Sequence, residues 1–530
     1  MKYLTPLTLA VSIGLAILFR VVLPWSQVFG SQVLLNTPDA YIMVRYADCW
    51  PYIPSVDYFL DFPQGGNVIN TVWPSVIAIF GRISGLSNMV SAAVLPPILF
   101  LLTLIPVYII GRVLFNKWVG LGSVAIFCLL PGEILNRTML GAADYHAWEI
   151  FLVSNIMMLV ILAAKNYKSH IDLFFCSVGA IGIWVLYWYS WVGSVWLLFV
   201  LGVCLTIWVF LNTRKPILLG MYLLGGLGIL AGALLISPIK TKFYAMQFLN
   251  IFTVNLSNVV TEEFPVFFSY GKFDLNTIWL YFGITFYIVL VGLGWLIYRY
   301  IKDRKPVDLV FLIWTLVSLA MMIGRRRYDY YFAINAAIIT SFVLVSVAQY
   351  LSINKAMMVK IGVVVALAVC LPLIRADYYI STADTYMPKD WQNATQYLKE
   401  ESNYKTYVTG EKYKFGVFSW WDYGYWIIKE SHLPTYCQGS ERDLEGSILV
   451  SVEPEKAVAS LRTLKMRFVV VDSDMLKDKW YPISKGRAVE QEKTLVYKLC
   501  NSEAVEGLKM VYESGQVKVY EVLSESISSN

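Results

Sequence analysis

Two groups of residues in this 530-residue chain could do chemistry. The first is the run Trp420-Trp421-Asp422-Tyr423-Gly424. Indole N–H groups beside a carboxylate can grip a small hydroxyl between donors and an acceptor. The glycine would let the backbone turn closely around whatever is held. The same run also reads as a buried aromatic turn whose Asp422 caps a helix starting at Tyr425-Trp426. The second group is a set of acids with one histidine. Asp39 follows Pro38, and Asp144-Tyr145-His146 places a carboxylate and an imidazole two residues apart. An extended or turning backbone can aim both at one cation, and that donor pair suits Mn²⁺ or a similar divalent metal. A pair of glutamates, Glu262 and Glu263, closes the segment Val259-Val260-Thr261. Each acid alone also has a plain reading, as a helix cap or a solvated loop.

The elements that must position these residues are mostly membrane helices. The chain is 57% hydrophobic and only 15% charged, far from a globular average. Apolar runs long enough to cross a bilayer recur through its first 375 residues. The expected spans are 3–25, 89–113, 117–131, 147–164, 172–189, 191–212, 216–236, 275–298, 307–323, 331–350 and 358–374. Alternate short loops carry Arg112 and Lys117, Lys165 and Lys168, Arg214 and Lys215, Arg299 to Lys305, and Lys355 and Lys360. Positive residues favour the cytoplasmic side. The opposite side then holds the loops 27–88, 132–146 and 237–274 and everything after 375. Arg325-Arg326-Arg327 breaks this pattern and calls for an anionic partner at the outer surface.

Residues 1–375 are therefore expected to form a transmembrane domain, and 376–530 an extracytoplasmic α/β domain. In the latter, helices are expected over 388–401 and 441–463, and strands at Arg467–Val471 and Gln516–Tyr520. The net charge of +6 comes mainly from loop lysines and arginines, and no nucleic-acid surface is indicated. Seven cysteines without a CxxC pair point to neither a zinc site nor a disulfide framework.

With these residues in place, the chain resembles the catalytic subunit of oligosaccharyltransferase in its single-subunit archaeal or bacterial form. Trp420-Trp421-Asp422-Tyr423-Gly424 matches the family signature. Asp39 sits where the family has its first acidic motif. Asp144-Tyr145-His146 resembles the second, with Arg137 upstream. Val260-Thr261-Glu262 looks like the loop-borne motif that ends in Glu. Arg327-Tyr328 resembles the arginine motif that meets the lipid pyrophosphate. Asp472 and Met475 look like a second motif for the acceptor hydroxyl, although Lys479 stands where a hydrophobic residue is expected.

The resemblance implies a GT-C membrane fold of about 11–13 spanning helices and a cofactor of Mn²⁺ or Mg²⁺. It implies en bloc transfer of an oligosaccharide from a lipid-linked donor to Asn in Asn-X-Ser/Thr, by a chain that works as a single subunit. On that reading Asp39 and Glu262 activate the acceptor amide, with Glu263 a rival for Glu262. Arg137 orients the acids. Asp39, Asp144 and His146 hold the metal, and Arg327 neutralises the leaving pyrophosphate. Trp420, Trp421, Asp422, Tyr423, Gly424, Asp472 and Met475 read the acceptor hydroxyl. Two other classes remain. A different GT-C enzyme, such as a protein O-mannosyltransferase, would not need a Trp-Trp-Asp clamp. A transporter or flippase would place its ionisable residues inside the helices. The chain's own Asn393 triplet could be self-modified.

Overall fold

The structure is a computed structural model that describes residues 4–68, 71–166, 168–212, 246, 249, 261–269, 272–350, 355–401, 413–436 and 442–524. The expected span 216–236 and most of the loop 237–274 lie outside them. The chain forms two compact units. One comprises Met1–Ser26, Leu95–Leu140 and Tyr145–Ala383; the other comprises Gln27–Val94, Gly141–Asp144 and Asp384–Asn530. The expected division at 375 is thus displaced to 383/384. More significantly, the first long loop groups with the C-terminal segment, not with the membrane helices.

The helical unit follows the apolar runs. Among the described residues, six helices are long and apolar enough to span a bilayer, including Leu9–Val28, Asn88–Leu114, His146–Lys165, His170–Ser190 and Pro306–Gly324. The expected span 275–298 is instead a pair, Asn276–Phe282 and Thr285–Asp303, bent by 81°. Gly283 at the break has φ +52°, a backbone angle that a side chain disfavours. Lys117–Cys128 is short; Asn116 caps it by accepting from the amides of Trp118 and Val119 at 2.9 and 3.1 Å. This helix packs against Asp329–Tyr350, where the Ser341 hydroxyl donates to the Val119 carbonyl at 2.8 Å. In lipid, such close small-residue contacts and inter-helix hydrogen bonds replace the hydrophobic drive. The first helix, Leu4–Ile17, continues as a π-helix, Leu18–Val22, that contains the buried Arg20.

The second unit contains a four-stranded sheet in the order Gly416–Phe418, Met466–Asp472, Val517–Val522, Leu508–Ser514. The first pair is parallel and the rest antiparallel. A parallel pair needs a helical crossover, which Arg442–Leu449 and Pro454–Thr463 supply. The expected single helix 441–463 is therefore two, because Pro454 cannot continue the first and suits the start of the second. Lys389–Glu401 buries Trp391, Ala394, Thr395 and Leu398, the spacing of one helix face. Asn393 lies in this helix, half-buried, and its amide donates to Ser514 Oγ at 3.1 Å.

Two helices absent from the sequence reading, Pro38–Asp48 and Val72–Ser84, also belong to this unit. Buried Arg45 makes a two-point ion pair with Asp57 at 2.6 and 2.9 Å and stacks on Phe59. Lys429 reaches Asp48 at 2.8 Å.

His432 takes left-handed backbone, φ 60°, just after a π-helical turn. Burial, then Lys399 and Lys429, lower its pKa from 6.5 to about 4. The unfolded chain takes up this proton near pH 6.5 and the folded chain only near 4. The stabilisation is complete above the unfolded value and is lost as pH falls through that window. Hydrogen exchange of backbone amides 416–436 should accelerate between about pH 6.5 and 4 relative to the intrinsic rate, and His432→Asn should flatten that dependence.

Candidate active site

In the helical unit, the sequence-derived residues Arg137, Glu262 and Arg327 come together in one charge network. Arg137 follows the short helix Glu133–Asn136. Its Nε donates to Glu133 at 2.9 Å, and its Nη2 pairs with Glu262. Glu133 is itself fixed from two sides. Its amide donates to Asp329 at 2.9 Å, and Tyr281 donates to its carboxylate at 3.3 Å. Gly132 makes room for this: at φ +80°, a Cβ there would lie 2.5 Å from Asp329 and 2.8 Å from the Tyr281 ring.

Glu262 and Glu263 sit in a short 3₁₀ turn, Thr261–Glu263. The following segment is tied to the arginine turn by backbone bonds, from Val266 to Ile323 at 3.4 Å and from Arg326 to Phe264 at 2.8 Å. Arg327 then bridges Glu262 and Glu263 at 3.4 and 3.3 Å, and Arg325 meets Glu263 at 3.4 Å. The arginine triplet that broke the charge pattern thus has anionic partners in its own chain. Arg326 is used differently: it donates to the Phe268 carbonyl at 3.0 Å and lies over the Phe264 ring.

His146 opens the helix His146–Lys165. Its Nδ1 lies 2.9 Å from Glu149 and 3.2 Å from the Tyr330 hydroxyl, which also donates to Glu149 at 3.2 Å. A buried carboxylate on one ring nitrogen is the usual support of a metal-binding histidine. Among the described residues, however, no three His, Cys, Asp or Glu side chains converge as a ready-made metal cage.

The other sequence-derived residues belong to the second unit. Asp39 is exposed in the first turn of Pro38–Asp48 and Asp144 is buried. An acid at that helix position also suits the helix dipole. Trp421–Tyr423 forms a 3₁₀ turn that leads into Gly424–Trp426. Gly424 has ordinary helical backbone, φ −62°. Asp422 does not cap the following helix; its carboxylate pairs with Lys479. That lysine, which broke the expected motif, is therefore a partner of the signature. Trp420 is 1% exposed, and its indole N–H is buried without a hydrogen-bond acceptor.

Asp472 and Met475 are both buried. Asp472 accepts from the Trp391 indole at 2.6 Å and from the Asp474 amide at 2.8 Å. Trp391 stacks on Tyr423 with centroids 4.3 Å apart. Asp472 therefore holds the aromatic turn in place through Trp391. Burial raises the Asp472 carboxyl above its ordinary range, opposed by these two hydrogen bonds.

Sequence reasoning missed Glu133, Glu149, Trp391 and the role of Lys479. Glu133 precedes Arg137 by four residues and Glu149 follows His146 by three, spacings that share a helix face. Trp391 lies 81 residues from its partner, and no local signal announces it.

A family model described as Oligosaccharyl transferase STT3, N-terminal, matches residues 60–282. Dolichyl-phosphooligosaccharide-protein glycotransferase 3 of Archaeoglobus fulgidus is 23% identical over 91% of this chain and 71% of its own length. Glycotransferase 2 of the same organism is 22% identical over 98% of both chains. The apo crystal structure of an Archaeoglobus fulgidus oligosaccharyltransferase superposes with TM-score 0.82 at 19% identity, over 97% of this chain and 80% of that one. The structure of AglB from that organism, with an inhibitory peptide and a dolichol-phosphate, gives 0.81 at 18% identity, again over 97% and 80%. The architecture is the GT-C membrane fold with a C-terminal globular domain.

Arg137→Gln leaves Glu133 and Glu262 without the cation between them. A loss of about 2–3 kcal/mol is expected, read by thermal unfolding in detergent, with Glu133→Gln on the same background restoring part of it. The chain is thus similar over nearly its whole length to archaeal glycotransferases, and its residues 60–282 match the STT3 model.

Proposed function

We propose that this multi-pass membrane enzyme transfers an oligosaccharide en bloc from a lipid-linked phosphate or pyrophosphate donor to Asn in Asn-X-Ser/Thr. The observation that carries this reading is the buried, unpartnered indole N–H of Trp420 beside Asp422. A buried donor without an acceptor costs about 1–3 kcal/mol, and a Ser or Thr hydroxyl arriving there would relieve it. A ligand that lacks the hydroxyl would not. That is the asymmetry by which a polar site rejects an apolar analogue. A different lipid-sugar transferase would have no use for such a clamp.

The acceptor amide nitrogen is a poor nucleophile, because its lone pair is delocalised into the carbonyl. Asp39 and Glu262 accept its two N–H bonds, weaken that conjugation and free the lone pair to attack the sugar's anomeric carbon. The bond from that carbon to the lipid phosphate oxygen breaks, and Arg327 neutralises the departing anion. Arg137 holds Glu262 in orientation. A divalent cation, Mn²⁺ or Mg²⁺, supplies electrostatic stabilisation of the leaving oxygen when bound. Asp39, Asp144 and His146 would be the residues to hold it. The donor chemistry of carboxylates and an imidazole buttressed by Glu149 supports that assignment. The charge pattern of the short loops supports an extracytoplasmic face for these acids and for the C-terminal segment. The near-complete match to the archaeal glycotransferases supports action as a single subunit.

Purified protein, a dolichyl-linked oligosaccharide and a fluorescent Asn-X-Thr peptide should yield glycopeptide; no product from active donor and peptide would refute the reading. Asp39→Asn and Glu262→Gln should each cut kcat by at least about a hundredfold. Chelation should abolish transfer and Mn²⁺ restore it. Mn²⁺ should also raise the melting temperature of the wild type but not of Asp144→Asn; equal stabilisation of both would remove Asp144 from the ligand set.

A further inference from the structure

Glu262 and Glu263 have different partners, and the difference assigns them different work. Six side chains alternate in sign along one path: Glu133, Arg137, Glu262, Arg327, Glu263, Arg325. Three carboxylates meet three guanidiniums, so the network is neutral as it stands. Its two ends are not alike. At one end Arg137 is 11% exposed, meets Glu133 at 2.9 Å, and also grips Glu262. At the other end, the contacts of Arg327 and Arg325 with Glu263 are 3.3 and 3.4 Å. Charge-assisted N–H···O bonds settle at about 2.7–2.9 Å, so these two contacts are longer than such bonds. Glu263 is also 24% exposed, and water can take over its solvation when it leaves.

We propose that Glu263 is an internal stand-in for the donor's phosphate, occupying Arg325 and Arg327 until a lipid-borne phosphate displaces it. This rests on the reading of the chain as a lipid-linked glycosyltransferase and adds Arg325 as a second phosphate-binding residue beside Arg327. A phosphate carries more negative charge than a carboxylate and offers several oxygens to two guanidiniums at once. Arg325 and Arg327 are two residues apart across a 3₁₀ turn, with Arg326 turned away into a backbone staple. Exchange of Glu263 for phosphate keeps both cations neutralised, as a membrane protein requires. The same exchange acts on the acid that does the chemistry. Arg327 also touches Glu262 at 3.4 Å, so a phosphate that draws Arg327 away leaves Glu262 with Arg137 and a freer oxygen for the acceptor amide. Donor binding thereby prepares the acceptor's base, and the donor binds first.

The full-length protein in detergent, titrated with dolichyl phosphate and followed by tryptophan fluorescence or calorimetry, tests this without turnover. Glu263→Gln should tighten binding about 3- to 10-fold, because one competing charge-assisted contact is gone. Arg325→Gln should weaken it by a similar factor. Dolichol without phosphate should show neither change, and inorganic phosphate at matched concentration should bind more weakly than the lipid. Unchanged or weaker dolichyl phosphate binding by Glu263→Gln would overturn the proposal. So would loss of binding in Arg326→Gln equal to that in Arg325→Gln, with both proteins folded. A wild type that binds dolichyl phosphate but makes no glycopeptide would overturn the proposed function and leave this exchange standing.

Discussion

Everything in the helical unit's candidate site depends on charge neutralisation in a low-dielectric setting. A guanidinium held near lipid is tolerated only when anions or hydrogen-bond acceptors meet it. Four arginines meet that demand in two ways. Arg137, Arg325 and Arg327 share carboxylates from Glu133, Glu262 and Glu263. Arg20, fully buried in its π-helical turn, donates to Thr138 at 3.0 Å and to the Cys128 carbonyl at 3.1 Å, and lies 3.6 Å over Phe100. Thr138 is the neighbour of Arg137, and the Leu140 amide donates to the Arg20 carbonyl at 2.7 Å. The need to satisfy these cations fixes the segment 132–140, and with it the Arg137 side chain that meets Glu262.

The second unit solves a different problem, that of holding polar side chains inside an aromatic core. Asp472 fixes Trp391, Trp391 stacks on Tyr423, and Tyr423 completes the turn that carries Trp420 and Asp422. Lys479 meets Asp422 from the segment that follows Met475. The pair is partly exposed, 28% and 26%, so it contributes little to stability. Its weight falls on the carboxylate's charge and direction. Lys479 already meets Asp422, while the Trp420 indole N–H is buried with no hydrogen-bond partner.

Much of this was legible in the chain. The apolar runs at 89–113, 147–164, 172–189, 307–323 and 331–350 form helices where composition placed them, because burial in lipid leaves few choices of residue type. The anionic partner demanded by Arg325-Arg326-Arg327 was legible as a need, and Glu262 and Glu263 answer it. What spacing could not reveal is pairing across long separations. Glu262 to Arg137 spans 125 residues, Glu133 to Asp329 spans 196, and Lys479 to Asp422 spans 57. The helix pair broken at Gly283 and the split at Pro454 were visible only as single residues inside longer runs. The grouping of 27–94 with the C-terminal segment had no local signal, since it rests on long-range bonds such as the Phe62 amide donating to the Thr435 carbonyl and the Thr435 amide donating to the Phe59 carbonyl, both at 3.0 Å.

The central claim is that the Trp420 indole N–H reads the acceptor hydroxyl while Glu262 and its arginines do the chemistry. The direct measurement is kcat/KM for paired Asn-X-Thr and Asn-X-Ala peptides in the wild type and in Trp420→Phe. The account predicts that the Thr-over-Ala ratio falls about tenfold or more in Trp420→Phe, with the loss confined to the Thr peptide. An unchanged ratio, or an equal loss on both peptides, would contradict it.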